Sequence, residues 1–283
     1  MKCQFTLTVA EGKRLIAKAI ASMPEVRQAL KNGTILLKGG TTVSALAEEL
    51  CGQQMRISGR VTPRGAVSAG SSNPGGSHAL VLRHGIPEPG EGRLMEAALA
   101  MGPEDVAVSS ANIFDLQGRA AIMAGKDLGG EIGSVYPSLE AEGVRCIVAA
   151  GLEKLSPFAL PEASRAAGRK APAWSMGMAV GLIAIPGEIV SEPEALTLLG
   201  YERHWLIGRG GIDGAEGSCT FVVETDEPGL YRLTGLLEAL KGARESGTAD
   251  SLPECLRCGP NRAYHQACVY GGKNEWPASS NKD

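Results

Sequence analysis

The stretch that most constrains this chain is residues 33–50, GTILLKGGTTVSALAEEL. Thr34–Leu37 is a short run rich in β-formers, the pattern of a buried strand. Gly39-Gly40-Thr41-Thr42 follows at once, and then Val43, Leu46, Ala47 and Leu50 fall at i, i+3, i+4 and i+7, one face of a helix. A strand, a glycine turn and a helix start form an anion site. The first backbone N–H groups of a helix have no partner inside it, and the macrodipole adds partial positive charge there. Gly39 and Gly40 let a ligand reach the backbone, while Thr41, Thr42 and Ser44 can add hydroxyl donors.

The rest of the chain alternates short apolar runs with amphipathic segments. Strands are expected at 4–9, 79–82, 105–109, 120–123, 144–150, 178–185, 204–207 and 220–224, with 178–185 apolar enough to be central. Helices are expected at 11–22, 24–31, 91–101, 136–142 and 161–167. Another opens at the capping box Ser191-Glu192-Pro193-Glu194, and a last one begins at Asp226. Alternation with short turns predicts an α/β fold, a three-layer Rossmann-like and mostly parallel sheet over residues 1–190. A smaller α+β lobe is expected over 191–245, and a polar tail carrying Cys and His over 246–283. Ligands in such sheets sit at the carboxyl ends of strands.

Residues 53–78 stand apart, with Arg56, Arg60 and Arg64 among glycines and serines and no acidic residue. Guanidinium groups on a glycine-rich loop suit a phosphate or carboxylate, with Arg60 and Arg64 as the clamp; the same composition also suits a solvated loop. Asp115, Lys126, Asp127 and Glu131 gather around a second glycine-rich turn. A carboxylate there could move protons and Lys126 could hold an anion, or all could be plain turn residues. Cys255, Cys258, His265 and Cys268 form C-x2-C-x6-H-x2-C, a Cys3His set that suits structural zinc, with free thiols or a disulfide as the alternative. Cys51, Cys146 and Cys219 lie in apolar runs and read as core, and His78 as a surface residue or a member of the arginine pocket.

Two stretches carry a family resemblance. LLKGGTTVSALAEEL resembles the glycine-threonine strand-loop-helix of the ribose-5-phosphate isomerase, glucosamine-6-phosphate deaminase and CoA-transferase superfamily. DVAVSSANIFDLQGRAAIMAGKDLGGEIG, residues 105–133, resembles its second signature, a strand, a hairpin and a glycine-rich turn. The resemblance implies a ligand that is a phosphorylated sugar, CoA ester or folate, held at 39–44 and 109–133. It also implies no metal for chemistry and a homo-oligomer. Isomerases of that family carry an acidic pair after the second strand. This chain has Asn112 at the first acidic position, which leaves Asp115, with Lys126 and Glu131, as the implied catalytic set. Isomerisation or acyl and group transfer is therefore expected, with a non-catalytic metabolite sensor as the alternative.

Bulk composition narrows the partners. A net charge of −3, with no basic block and only 4% aromatic residues, argues against nucleic acid. No apolar run reaches the ~18–20 residues of a membrane span. Glu11, Lys13 and Arg14 fall where a signal peptide needs its apolar centre, so the expectation is a cytoplasmic protein with its seven cysteines mostly reduced.

Overall fold

The computed structural model describes residues 1–68, 76–247 and 267–271. Strand β1 (Lys2–Leu7) leads into helix α1 (Val9–Ser22), whose start is fixed by a capping box. The Thr8 hydroxyl accepts from Glu11 N–H, and the Glu11 carboxylate accepts from Thr8 N–H. Helix α2 (Pro24–Asn32) begins on a proline, where a missing N–H costs nothing. Strand β2 (Thr34–Lys38) and helix α3 (Thr41–Cys51) follow, and α3 stops at Gly52 in the left-handed conformation. A hairpin of β3 (Gly59–Thr62) and β4 (Gly65–Ser68) precedes β5 (Ala79–Arg83), β6 (Ile86–Pro89) and helix α4 (Leu94–Leu99). Next come β7 (Val106–Ser110), β8 (Ile113–Phe114), β9 (Ala120–Ala124), helix α5 (Ile132–Ala141), β10 (Arg145–Ala149) and helix α6 (Leu160–Ala166). The described chain continues through β11 (Gly181–Ile185), β12 (Glu188–Val190), α7 (Glu192–Leu198), β13 (His204–Gly210), β14 (Ser218–Glu224) and α8 (Glu227–Leu240).

The protein is mixed α/β. Its largest sheet has six strands in the order β12-β10-β7-β2-β5-β6. β12, β10, β7 and β2 run parallel, while β5 and β6 are antiparallel additions beside β2. Ile35, Leu36 and Leu37 of β2 are all at most 1% exposed, as expected of a strand paired on both sides. Helix α1 lies along α3 and α7, and α4 lies against α5.

Three departures from the sequence reading have physical causes. The apolar run 178–185 is not a central strand. It yields β11, paired on one side only, in a separate antiparallel sheet of order β11-β9-β8. Leu182 and Ile183 are only half-buried and Ala184 is exposed, so the apolar run marks a strand without marking its place in a sheet. β6 was hidden by Pro87 and Pro89, which an edge strand tolerates. Within 53–78, the hairpin β3–β4 forms because Gly65 takes positive φ and lets Ala66 bridge Gly177; a Cβ at Gly65 would run into the Met176 carbonyl. The capping box at Ser191 is present as expected. β13 and β14 gain a third strand from the N-terminus, β1, so residues 2–7 share a sheet with the 191–245 segment.

Leu37 is fully buried in the strand that carries the glycine turn. Leu37→Ala should lower unfolding free energy by about 3 kcal/mol in a urea titration, since both transfer and cavity terms apply.

Candidate functional site

The site is built from the carboxyl end of β2. Gly39 and Gly40 both have positive φ, +38° and +106°, which β-carbon-bearing residues rarely adopt. The Gly39 N–H donates to His78 O at 3.1 Å, and the Ser110 hydroxyl donates to Gly39 O at 2.6 Å. A Cβ on Gly40 would collide with that same Ser110 hydroxyl. Gly40 caps α3 without any side-chain bond, and the first intrahelical bond runs from Ser44 N–H to Gly40 O. The N–H groups of Gly40, Thr41, Thr42 and Val43 therefore have no acceptor among the described residues. Thr42 lies in this first turn, fully buried, and its hydroxyl has no hydrogen-bond partner among the described residues. Buried polar groups are normally paired, so an orphan here is informative.

Lys38, the last residue of β2, adds a cation. It is 7% exposed, and its ammonium makes no hydrogen bond or ion pair within the described residues. Burial pushes its ammonium down to about 8, against the pull of Glu131 and Glu91 and with the push of Lys126 and Arg56. The two carboxylates are committed elsewhere. Arg56 Nη2 donates to both Glu91 oxygens at 2.7 Å, and Glu131 Oε1 accepts from Gly92 N–H at 3.0 Å. His78 completes the cluster. Its Nδ1 is 3.0 Å from both Arg56 Nη2 and Glu91 Oε2, and its Nε2 is 3.6 Å from Glu131 Oε2. Arg56 can only donate and the Glu91 carboxylate can only accept, so Nδ1 accepts from the one or donates to the other, and a neutral imidazole serves either pairing. Burial, then the Lys38 charge, lowers the His78 pKa, which favours the same neutral form. Beside Lys38 in the sheet, Ser109 is its register partner, and the buried Tyr136 hydroxyl approaches Ser109 without a hydrogen bond of normal geometry.

The structure sorts the residues expected from sequence. Gly39, Gly40, Thr41 and Thr42 stand at the anion turn. Ser44 does not: its hydroxyl accepts from Met55 N–H and bonds Ser246, so it pins the segment after α3. Glu131 joins Lys38, and Lys126 acts on it electrostatically from an exposed position. Asp115 is corrected from an acid or base to a turn anchor. Its carboxylate accepts from the N–H groups of Gln117, Arg119 and Leu160 and from the Arg119 guanidinium. Burial raises its pKa, but those donors outweigh it and hold the carboxyl down at about 2. The residue brought to Lys38 from the arginine stretch is Arg56. Arg64 instead places its guanidinium 4.0 Å over the Tyr270 ring, and Arg60 lies on β3 opposite Val67. Cys255, Cys258 and His265 lie outside the described residues. Cys268 is buried with a free thiol, and no group of three or more His, Cys, Asp or Glu among the described residues is placed to hold a metal.

Sequence reasoning missed Lys38 and Glu91, named Arg56 in the arginine stretch but gave the clamp to Arg60 and Arg64, and left His78 open. The available signal was a lysine closing an otherwise apolar strand directly before two glycines. Together these groups gather a buried cation, two carboxylates, an imidazole and a helix start at one edge of a mixed α/β scaffold. No protein-family model, curated protein or solved structure matches this chain.

Asp115→Asn should cost on the order of 2 kcal/mol at pH 7 in a denaturant titration. A depressed carboxylate stabilises above its unfolded value of 3.8 and loses that contribution as pH falls through about 2, so the gap should narrow in acid. Ligand binding at the glycine turn should be unchanged.

Proposed function

We propose that this protein is an enzyme that binds a small anionic metabolite, phosphorylated or of the CoA type, and moves protons on it in an isomerisation or acyl or group transfer. The observation that carries the reading is the coincidence of two needs unmet among the described residues: four unpaired amides at the start of α3, and the buried ammonium of Lys38 just before them. An anion answers both. His78 and Glu131 supply groups that can exchange a proton beside the bound ligand. The framework in this reading is a three-layer Rossmann-like arrangement, working in the cytoplasm as a homo-oligomer. A structural zinc in the C-terminal Cys/His segment remains part of the proposal and takes no role in the chemistry.

One observation favours a second reading, a metabolite sensor without turnover. Asp115, the acidic position implied by the family resemblance, is consumed by its own turn. The first reading is preferred because Lys38, His78 and Glu131 provide acid–base groups independently of Asp115.

Thr42→Val tests the ligand site with two readouts. Replacing an unsatisfied buried hydroxyl by a methyl should stabilise the free protein by about 1 kcal/mol. The same change should weaken binding of inorganic phosphate and of CoA esters several-fold, measured by calorimetry. Stabilisation without any loss of affinity would mean that the hydroxyl serves no ligand.

A further inference from the structure

We propose that Lys38 is an imine-forming amine, which condenses with the carbonyl of a metabolite whose anionic end rests on the amides of Gly40–Val43. This rests on the reading above that the turn takes an anion, and it adds a substrate class: small phosphorylated or carboxylated aldehydes and ketones.

A lysine that serves only to hold an anion must be charged and profits from exposure. Lys38 has the opposite surroundings. It ends a strand whose three preceding residues are at most 1% exposed, and it is 7% exposed itself. Burial disfavours its charged form, and neither nearby carboxylate is available as a dedicated counter-ion. Nucleophilic lysines are activated by this combination of desolvation and neighbouring cations. The cations are Arg56, from the segment after α3, and Lys126, from the turn before α5. The opposing charges are Glu91, after β6, and Glu131, at the start of α5; His78, before β5, completes the set of titratable groups facing Lys38.

The chemistry closes without any external redox partner. The neutral Nζ lone pair attacks the carbonyl carbon, and the C=O π pair moves to oxygen, which takes a proton to give the carbinolamine. Nitrogen releases a proton, the hydroxyl leaves as water after protonation, and the C=N bond forms. The His78 imidazole and the Glu131 carboxylate, with Nε2 and Oε2 3.6 Å apart, are the groups that give and accept these protons. The imine, once protonated, draws electrons from an adjacent C–H or C–C bond, which suits the isomerisation and group-transfer classes. Lys38 and Gly40 are two residues apart, so their Cα atoms are separated by at most about 7.6 Å. The carbonyl must therefore lie only a few bonds from the anionic group.

The test uses the full chain with glycolaldehyde phosphate and sodium cyanoborohydride, whose hydride reduces the imine carbon and locks the adduct for peptide mass mapping. At pH 7, Lys38 should be modified at least tenfold faster than any other lysine. Glycolaldehyde without phosphate should react at least tenfold more slowly, and inorganic phosphate should protect. From pH 7 to 9, an amine of pKa about 8 gains roughly tenfold in neutral fraction, against roughly a hundredfold for an ordinary lysine, so the preference for Lys38 should shrink as pH rises. Lys38→Arg should lose the label, and Thr42→Val, which keeps the amine, should leave the label on Lys38 but weaken protection by phosphate. Label spread over exposed lysines such as Lys126, with Lys38 untouched while phosphate still raises the melting temperature, overturns the imine and leaves the anion site standing. Equal labelling of Lys38 by both aldehydes, with no phosphate-induced shift, overturns the anchor and the proposed function with it.

Discussion

The account turns on the desolvation of one ammonium group. Lys38 closes the most deeply buried strand of the large sheet, and burial draws its pKa from 10.5 to about 8. Holding it protonated at neutral pH costs on the order of 3 kcal/mol relative to the unfolded chain. The sign follows from proton uptake. The unfolded chain binds more protons between about 8 and 10.5, so stability rises with pH across that window. A chain with only marginal stability keeps such a feature where function uses it.

Topology explains why the other groups meet there. The parallel strands β2, β7, β10 and β12 all end at one edge of the sheet, at Lys38, Ser110, Ala149 and Val190. The antiparallel β5 begins at that edge and β6 ends at it, which brings His78 and Glu91 to the same place. A parallel β5 would have sent His78, which precedes it, to the opposite side. Arg56 then ties His78 to Glu91 and fixes the imidazole so that its Nε2 faces Glu131. Farther along the edge, Glu192 accepts from Leu152 N–H, and burial raises its pKa to about 7. That carboxylate lies by the ends of β10 and β12, away from the glycine turn.

The legible parts of this structure were the local ones. The β2–turn–α3 unit could be read because apolar spacing, paired glycines and the helix face all lie within eighteen consecutive residues. Capping boxes at Thr8 and Ser191 belong to the same category, although only the second was read. Lys38 passed unnoticed because a lysine at a strand end is ordinarily a solvated one, and only pairing on both sides buries it. Glu91 was beyond reach because antiparallel pairing of β5 and β6 sets its position, and the prolines of β6 masked that strand; Arg56 and His78 were named, but nothing local placed them beside Lys38. Asp115 was misread for a different reason. An aspartate two residues before a glycine turn suits both proton transfer and an Asx-type anchor, and spacing cannot distinguish a free carboxylate from one holding three backbone N–H groups.

The most direct measurement is an NMR titration of Lys38, following its 13Cε shift with Lys38→Arg to assign the signal. The account predicts a midpoint near 8 in the free protein, moving upward when phosphate binds, because an anion beside the ammonium favours its charged form. A midpoint near 10.4, the value of an ordinary solvated lysine, with no response to phosphate would contradict it.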